Sequence, residues 1–238
     1  MAQIPAYRMV YSDIKQSIKK GTYPPGVFLP TETELGAQFN TSRTTIRKAI
    51  SLLVSEGYLS VKQGRGTQVL DNTATQKLNS VSSFTETLVK KGYVVSTKGV
   101  FVELVKAGAF IAQKLDIKED DSVYHIQRVQ YADHSPIAIM ENYLVSRLFP
   151  NFRCGYVDFI SLYTLLEKDY GLIIKEAYQT ISAEKASFSD AQILNISVGD
   201  PLLVSSRVTY SADKVAFEYC LSKIIAEKYN YSIYLSGR

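Results

Sequence analysis

The sequence predicts an α+β protein in two parts: a small helical head that ends in a hairpin, then a mixed, mostly antiparallel sheet domain with helices. Three observations predict it. Apolar residues in the first seventy positions recur at helical spacing and give way near residue 58 to alternation. Beyond residue 80, strand-like runs follow one another with few helices between them, which favours an antiparallel sheet over a βαβ series. The charge divides at the same place. Residues 1–70 carry nine basic and four acidic side chains, a surplus of five, while the other 168 residues hold 18 basic and 19 acidic ones, so the whole net +4 belongs to the head. Such asymmetry marks an anion-binding module joined to a neutral one.

The first helix is read from Tyr7, Val10, Tyr11, Ile14 and Ile18, with Pro5 before and Gly21 after. Pro24, Pro25 and Gly26 then break the chain. Thr31 followed three residues later by Glu34 has the spacing of a capping box and starts a short second helix ending at Phe39. Ser42 caps a third helix that runs to Glu56 and stops at Gly57. On that helix Ile46, Ala49, Ile50 and Leu53 form an apolar stripe, and Arg43, Thr44, Arg47, Lys48 and Ser51 share a separate polar arc without an acid. An ordinary solvated face gains from mixed-sign pairs; a phosphate-facing one does not. Residues 58–63 alternate, Gly64-Arg65-Gly66 makes a tight turn, and 67–70 return as the second strand of a hairpin.

Three helices and a basic-tipped hairpin describe a winged helix-turn-helix, whose third helix enters the major groove while the wing reaches the backbone or minor groove. The run LPTETELGAQFNTSRTTIRKAISLLVSEGYLSVKQGRGTQV resembles the DNA-binding domain of GntR-type transcription regulators. The resemblance implies operator contacts from Thr31, Glu32, Arg43 and Arg47, phosphate or base contacts from Ser42, Thr44 and Thr45, and a wing contact from Gly64, Arg65 and Gly66. Arginine bonds guanine O6 and N7 bidentately, and hydroxyls and helix N-terminal amides suit phosphate. Thr33 departs from the pattern, since many relatives have arginine there.

Residues 71–79, rich in Asn, Thr and Ser, read as a linker, which sets the domains at 1–70 and 80–238. A short helix over 83–92 follows. Strands are predicted over 94–106, 122–131, 136–145, 172–183, 201–210 and 215–224, with helices over 109–115, 161–170 and 189–194. The segments SSFTETLVKKG, YHIQRVQYADHSPIAIMENYL, LLEKDYGLIIKEAYQTISAEKAS, GDPLLVSSRVTY and VAFEYCLSKIIAEKYNYSIYL resemble the UTRA effector domain of the HutC branch of GntR regulators, a fold that also resembles chorismate lyase. The resemblance implies a small-molecule effector, a phosphorylated sugar or another anionic metabolite, at Ser82, Ser83, Thr85, Arg128, Glu141 and Glu218, and a homodimer on an inverted-repeat operator of double-stranded DNA. Three departures mark this chain: Gln130 replaces a second arginine, Met140 stands where relatives place an acid, and Ile224 where they have tyrosine. With one arginine fewer, the expectation is a weaker hold on phosphate.

Other classes are bounded by what remains. Cys154 and Cys220 have no zinc-ligand spacing around them and read as two reduced, buried thiols. His125 and His134 form no metal pair; no cofactor is predicted. No apolar run spans a bilayer and no export signal precedes the first helix, so a cytoplasmic protein without membrane attachment is expected. The reading is a metabolite-responsive repressor. The alternatives are an enzyme on the lyase-like fold, using Ser or Cys with one of the histidines, and a constitutive DNA-binding protein with a vestigial pocket.

Overall fold

The computed structural model describes residues 5–71, 73–153, 155–156 and 159–236, so Cys154 lies outside the described residues. The chain divides into two compact units, 1–72 and 73–238.

In the first unit, α1 (Ala6–Lys19), α2 (Glu32–Gln38) and α3 (Arg43–Ser55) precede the hairpin β1 (Leu59–Lys62) and β2 (Gly66–Val69). The chemistry of each end explains its position. Thr31 and Glu34 complete a capping box on α2, Ser42 Oγ accepts from the Thr45 amide at the start of α3, and Gly57 leaves α3 at φ 77°. Ile46, Ala49, Ile50 and Leu53 of α3 bury against Val10 and Ile14 of α1, Leu35 of α2 and Leu59 and Val69 of the hairpin. A polar clasp fixes α1 to the end of α3: Tyr11 Oη donates to Glu56 at 2.7 Å, and Lys15 Nζ lies 3.0 Å from the same carboxylate.

The second unit comprises β3 (Ala74–Lys77), α4 (Phe84–Lys91), β4 (Val95–Lys106), α5 (Gly108–Leu115), β5 (Ser122–Ala132), β6 (Ser135–Val145), β7 (Gly155–Tyr156), α6 (Leu162–Tyr170), β8 (Ile174–Lys185), α7 (Phe188–Leu194), β9 (Pro201–Ser211), β10 (Ala216–Ile225) and β11 (Tyr229–Ser232). Seven strands form one antiparallel sheet in the order β7-β4-β5-β6-β10-β9-β8. Alternation assigns its faces. Ile126, Met140, Cys220 and Ile224 lie on the face that packs against α4 and α6, whereas Val123, Val145, Val208 and Tyr219 meet α5 on the other, with α7 beside them over Leu202 and Ile225.

One expectation needs amending. Residues 74–77, inside the stretch read as a linker, are a strand of the second unit, paired in parallel with β11 from Ala74↔Tyr229 to Lys77↔Ser232. The sequence Ala-Thr-Gln-Lys has no apolar alternation because its inward positions are a small residue, Ala74, and an amide, Gln76, whose Oε1 accepts from the buried Tyr229 hydroxyl at 2.8 Å. The two-residue β7 and the strand β11 had no separate signal either.

Candidate functional site

The head presents an exposed polar surface at the start of α3. Ser42, Arg43 and Thr44 stand exposed at the N-terminus of α3 with Thr45 half-buried beneath them, and Arg47 follows one turn on. α2 orients both arginines. Arg47 donates from Nε to Glu32 Oε1 at 3.1 Å and from Nη2 to Oε2 at 2.8 Å, which holds the Glu32 carboxyl below its usual range. Arg43 Nη2 donates to Thr33 Oγ1. The arc of α3 has no acid of its own, but the neighbouring helix supplies one, and the departure at Thr33 becomes a rest for Arg43. Lys48 turns away to lie over the Tyr7 ring, 4.1 Å from its centroid. Thr31 is committed to its cap, donating from backbone and hydroxyl to Glu34 Oε2. At the wing, Gly64 and Gly66 have φ of 73° and 109°, conformations that favour glycine, and Arg65 is exposed between them. Pairs of this exposed kind are nearly neutral in energy, so the guanidiniums are free to exchange them for other acceptors.

The second unit encloses a cavity of about 480 Å³ of atom-free space, partly open to solvent, under α4 and α6. Its floor is the sheet: Arg128 of β5, Met140 and Asn142 of β6, Glu218, Cys220 and Ser222 of β10, and Ser205 and Arg207 of β9. Its walls include the start of α4 with Ser83, Phe84 and Thr85, Tyr163 of α6, and Gln76 and Tyr231 of the small parallel sheet. Arg128 is 6% exposed, and among the described residues its Nε and Nη1 have no hydrogen-bond partner; Nη2 reaches Met140 Sδ at 3.8 Å, and the Phe159 ring lies 5.3 Å away. Burial holds its pKa below the ordinary guanidinium value. A buried cation with unused donors facing a cavity has the chemistry to receive an anion. Glu218 is satisfied by contrast: Asn142 Nδ2 donates to Oε1 at 2.6 Å, and Tyr163 and Thr209 hydroxyls donate to Oε2 at 2.9 Å. Burial, then the Glu218 charge, pushes the Tyr163 phenol far up, and burial raises the Cys220 thiol to about 11.

The structure brings Ser83, Thr85, Arg128 and Glu218 to this cavity, and it does not bring Glu141. Glu141 follows the cavity-facing Met140 by one residue, so the pleat turns it to the opposite face, where its Oε2 lies 3.4 Å from His125 Nε2. His125 stacks on Tyr143 there, remote from Cys220 across the sheet, and His134 sits in the β5–β6 turn; neither histidine serves a nucleophile in the cavity. Ser82 contributes its carbonyl, which accepts from Gln76 Nε2 at 3.0 Å and Arg207 Nη1 at 2.9 Å, rather than a side chain lining the cavity. Ser83 Oγ caps α4, accepting from the Glu86 amide. Gln130 is buried, its Oε1 accepting from the Thr97 hydroxyl at 3.3 Å, and it does not line the cavity. Where the sequence implied one arginine, the cavity has two: burial disfavours the Arg207 charge, but Tyr163, Cys220 and Glu218 outweigh that and raise its pKa. Asn142, Arg207, Tyr163 and Gln76 were missed. For Asn142 and Arg207 the signal was polarity at alternate positions of otherwise apolar strands, as in Ser205, Arg207 and Thr209; Tyr163 on α6 and Gln76 on β3 gave none.

The model described as "Bacterial regulatory proteins, gntR family" matches residues 6–69, and that of the UTRA domain matches residues 90–230. The HTH-type transcriptional repressor NagR of Bacillus subtilis (strain 168) is 31% identical over 98% of this chain and 95% of its own length. A probable fructoselysine utilization operon transcriptional repressor of Escherichia coli (strain K12) is 34% identical over 86% of each chain. Among solved structures, PhnF from Mycobacterium smegmatis superposes with a TM-score of 0.64 at 22% identity, covering 96% of this chain and 100% of that one, a likeness of fold.

Proposed function

The chain belongs to the gntR family of bacterial regulatory proteins, with a UTRA domain behind its helix-turn-helix head, and is a transcription regulator rather than an enzyme; from that premise we propose that it is a homodimeric repressor released from a palindromic operator by an anionic metabolite. The observation that carries the reading is the pairing of two anion-seeking sites in one chain: the exposed Arg43 and Arg47 of the head, and the buried Arg128 of the cavity, two of whose nitrogens have no partner among the described residues. Arg43 and Arg47 read base edges, Ser42, Thr44 and Thr45 hold phosphate at the start of α3, Thr31 and Glu32 set the approach of α2, and Gly64, Arg65 and Gly66 form the wing contact. Two heads meet half-sites about 34–36 Å apart. Relatives include a repressor of mannosyl-D-glycerate transport and metabolism and a probable repressor of fructoselysine utilization, which supports a phosphorylated sugar or a similar anionic, hydroxylated metabolite as effector. Ligand acts by favouring one of two populations of the dimer.

The test starts from an operator selected out of a random duplex library. Fluorescence anisotropy should show at least ~10³-fold preference for it over a scrambled duplex and a steep log-log fall of affinity with salt. A panel of sugar phosphates should contain a compound that weakens operator binding. A constitutive binder would keep the preference and the salt slope but respond to no ligand, and equal affinity for both duplexes would refute sequence-specific regulation.

A further inference from the structure

Two sets of buried polar atoms in the cavity have no partner among the described residues, and they are opposite in kind: the donors Arg128 Nε and Nη1, and the acceptor Asn142 Oδ1. They are neighbours. Arg128 on β5 pairs with Met140 on β6, and Asn142 follows two residues later on the same face, a diagonal separation of about 7–8 Å. Asn142 is 1% exposed and lines the cavity.

The amide is not free to choose which end it presents. Glu218, itself 1% exposed, lies 2.6 Å from Asn142 Nδ2, and a carboxylate only accepts, so it takes the NH₂ end and leaves the carbonyl end for something else. Tyr163 and Thr209 fix the carboxylate in turn through its other oxygen. Glu218 is therefore a positioning residue, with three of its roughly four acceptor sites taken by protein donors, and Asn142 turns its carbonyl end away from it. An acceptor buried without a partner carries a desolvation penalty that a ligand donor removes.

We infer that Asn142 is a specificity-determining residue of this cavity, reading a hydrogen-bond donor, a hydroxyl or an amide N–H, that the ligand carries beside the anionic group held by Arg128. The inference rests on the effector reading above and narrows it. The ligand class is an anion with a neighbouring donor, and an anion of equal size without that donor is rejected because it leaves Oδ1 buried and unpaired. Sites built to bond a substrate hydroxyl discriminate in this way more strongly than apolar pockets do.

Glycerol 3-phosphate and n-propyl phosphate test it, since they match in length and anionic group and differ in hydroxyl donors. Calorimetric titration of the full chain should give at least ~10-fold tighter binding of glycerol 3-phosphate. In Asn142→Leu the ratio should collapse toward unity while affinity for n-propyl phosphate is kept, a selective loss that general damage to the cavity does not produce. Glu218→Gln, which keeps volume but lets the amide turn, should lower the ratio as well, and it carries the test alone if Asn142→Leu does not fold. Equal affinities in the wild type, a ratio that survives both variants, or no binding of either phosphate overturns the inference. The two readings fail separately: selective binding without any change in operator affinity supports the role of Asn142 and counts against regulation by this class of ligand.

Discussion

Replacing Arg128 by methionine should make the unliganded protein more stable and the liganded one less so. The guanidinium is 6% exposed, and among the described residues two of its nitrogens have no partner and no ion pair is formed with a carboxylate. An orphaned buried polar group costs about 1–3 kcal/mol, so the two nitrogens cost about 2–6. Methionine keeps the packing of the stem but gives up the Phe159 contact, about 1–2 kcal/mol for a desolvated cation over a ring. The balance favours methionine by about 0–5 kcal/mol, around the range found when buried charges are exchanged for apolar groups of similar size. For a unit of this size each kcal/mol moves Tm by about 2–4 °C, so a gain of about 2 kcal/mol raises the transition by about 4–8 °C. Differential scanning calorimetry of wild type and Arg128→Met, each with and without an organic phosphate, reads both halves: a higher transition without ligand, and no further rise with it. A lowered transition in unliganded Arg128→Met would show that the arginine holds the fold together rather than waiting for an anion, and would refute the reasoning.

Arg47→Ala should weaken operator binding by about 5- to 150-fold and relax the preference at one base pair, with an unchanged circular dichroism spectrum; a uniform loss across sequences would instead make Arg47 a phosphate contact. Leu53→Ala removes a fully buried side chain between α1 and the hairpin and should destabilise the head by about 2–5 kcal/mol in urea unfolding. In a Cys154→Ser background, alkylation of Cys220 by iodoacetamide should accelerate with a midpoint near pH 11 in the folded state, against about 8.5 for an ordinary thiol. The sign for stability follows: a folded-state pKa above the unfolded one means that the contribution is intact below the unfolded value and is lost as pH rises toward about 11. Ordinary thiol reactivity at pH 8.5 would contradict the burial of Cys220.

The head was legible nearly residue for residue because its signals are local. Capping residues, the Gly57 stop, the glycine wing and the stripe Ile46, Ala49, Ile50 and Leu53 each act within a few positions of chain. The long strands of the sheet were legible for the same reason. What escaped was set by partners far away in sequence. β3 is a strand only because residues more than 150 positions later lie beside it, and the pairing of Glu32 with Arg47 joins two helices that each look self-contained. The cavity was half legible. Arg128 and Glu218 were found by likeness to a family, whereas Asn142 and Arg207 required knowing which strands become neighbours. Glu141 went wrong through a single step of the pleat.

The parallel pairing of β3 with β11 also has a consequence in time. During synthesis the head's core and clasp are drawn from its own residues, so it can fold once residue 70 has left the ribosome. The strand that follows it must wait for residues 229–232, roughly 8–30 s later at ordinary rates of translation. A nascent chain therefore passes through an interval in which its head is formed but the first strand of the second unit has no mate.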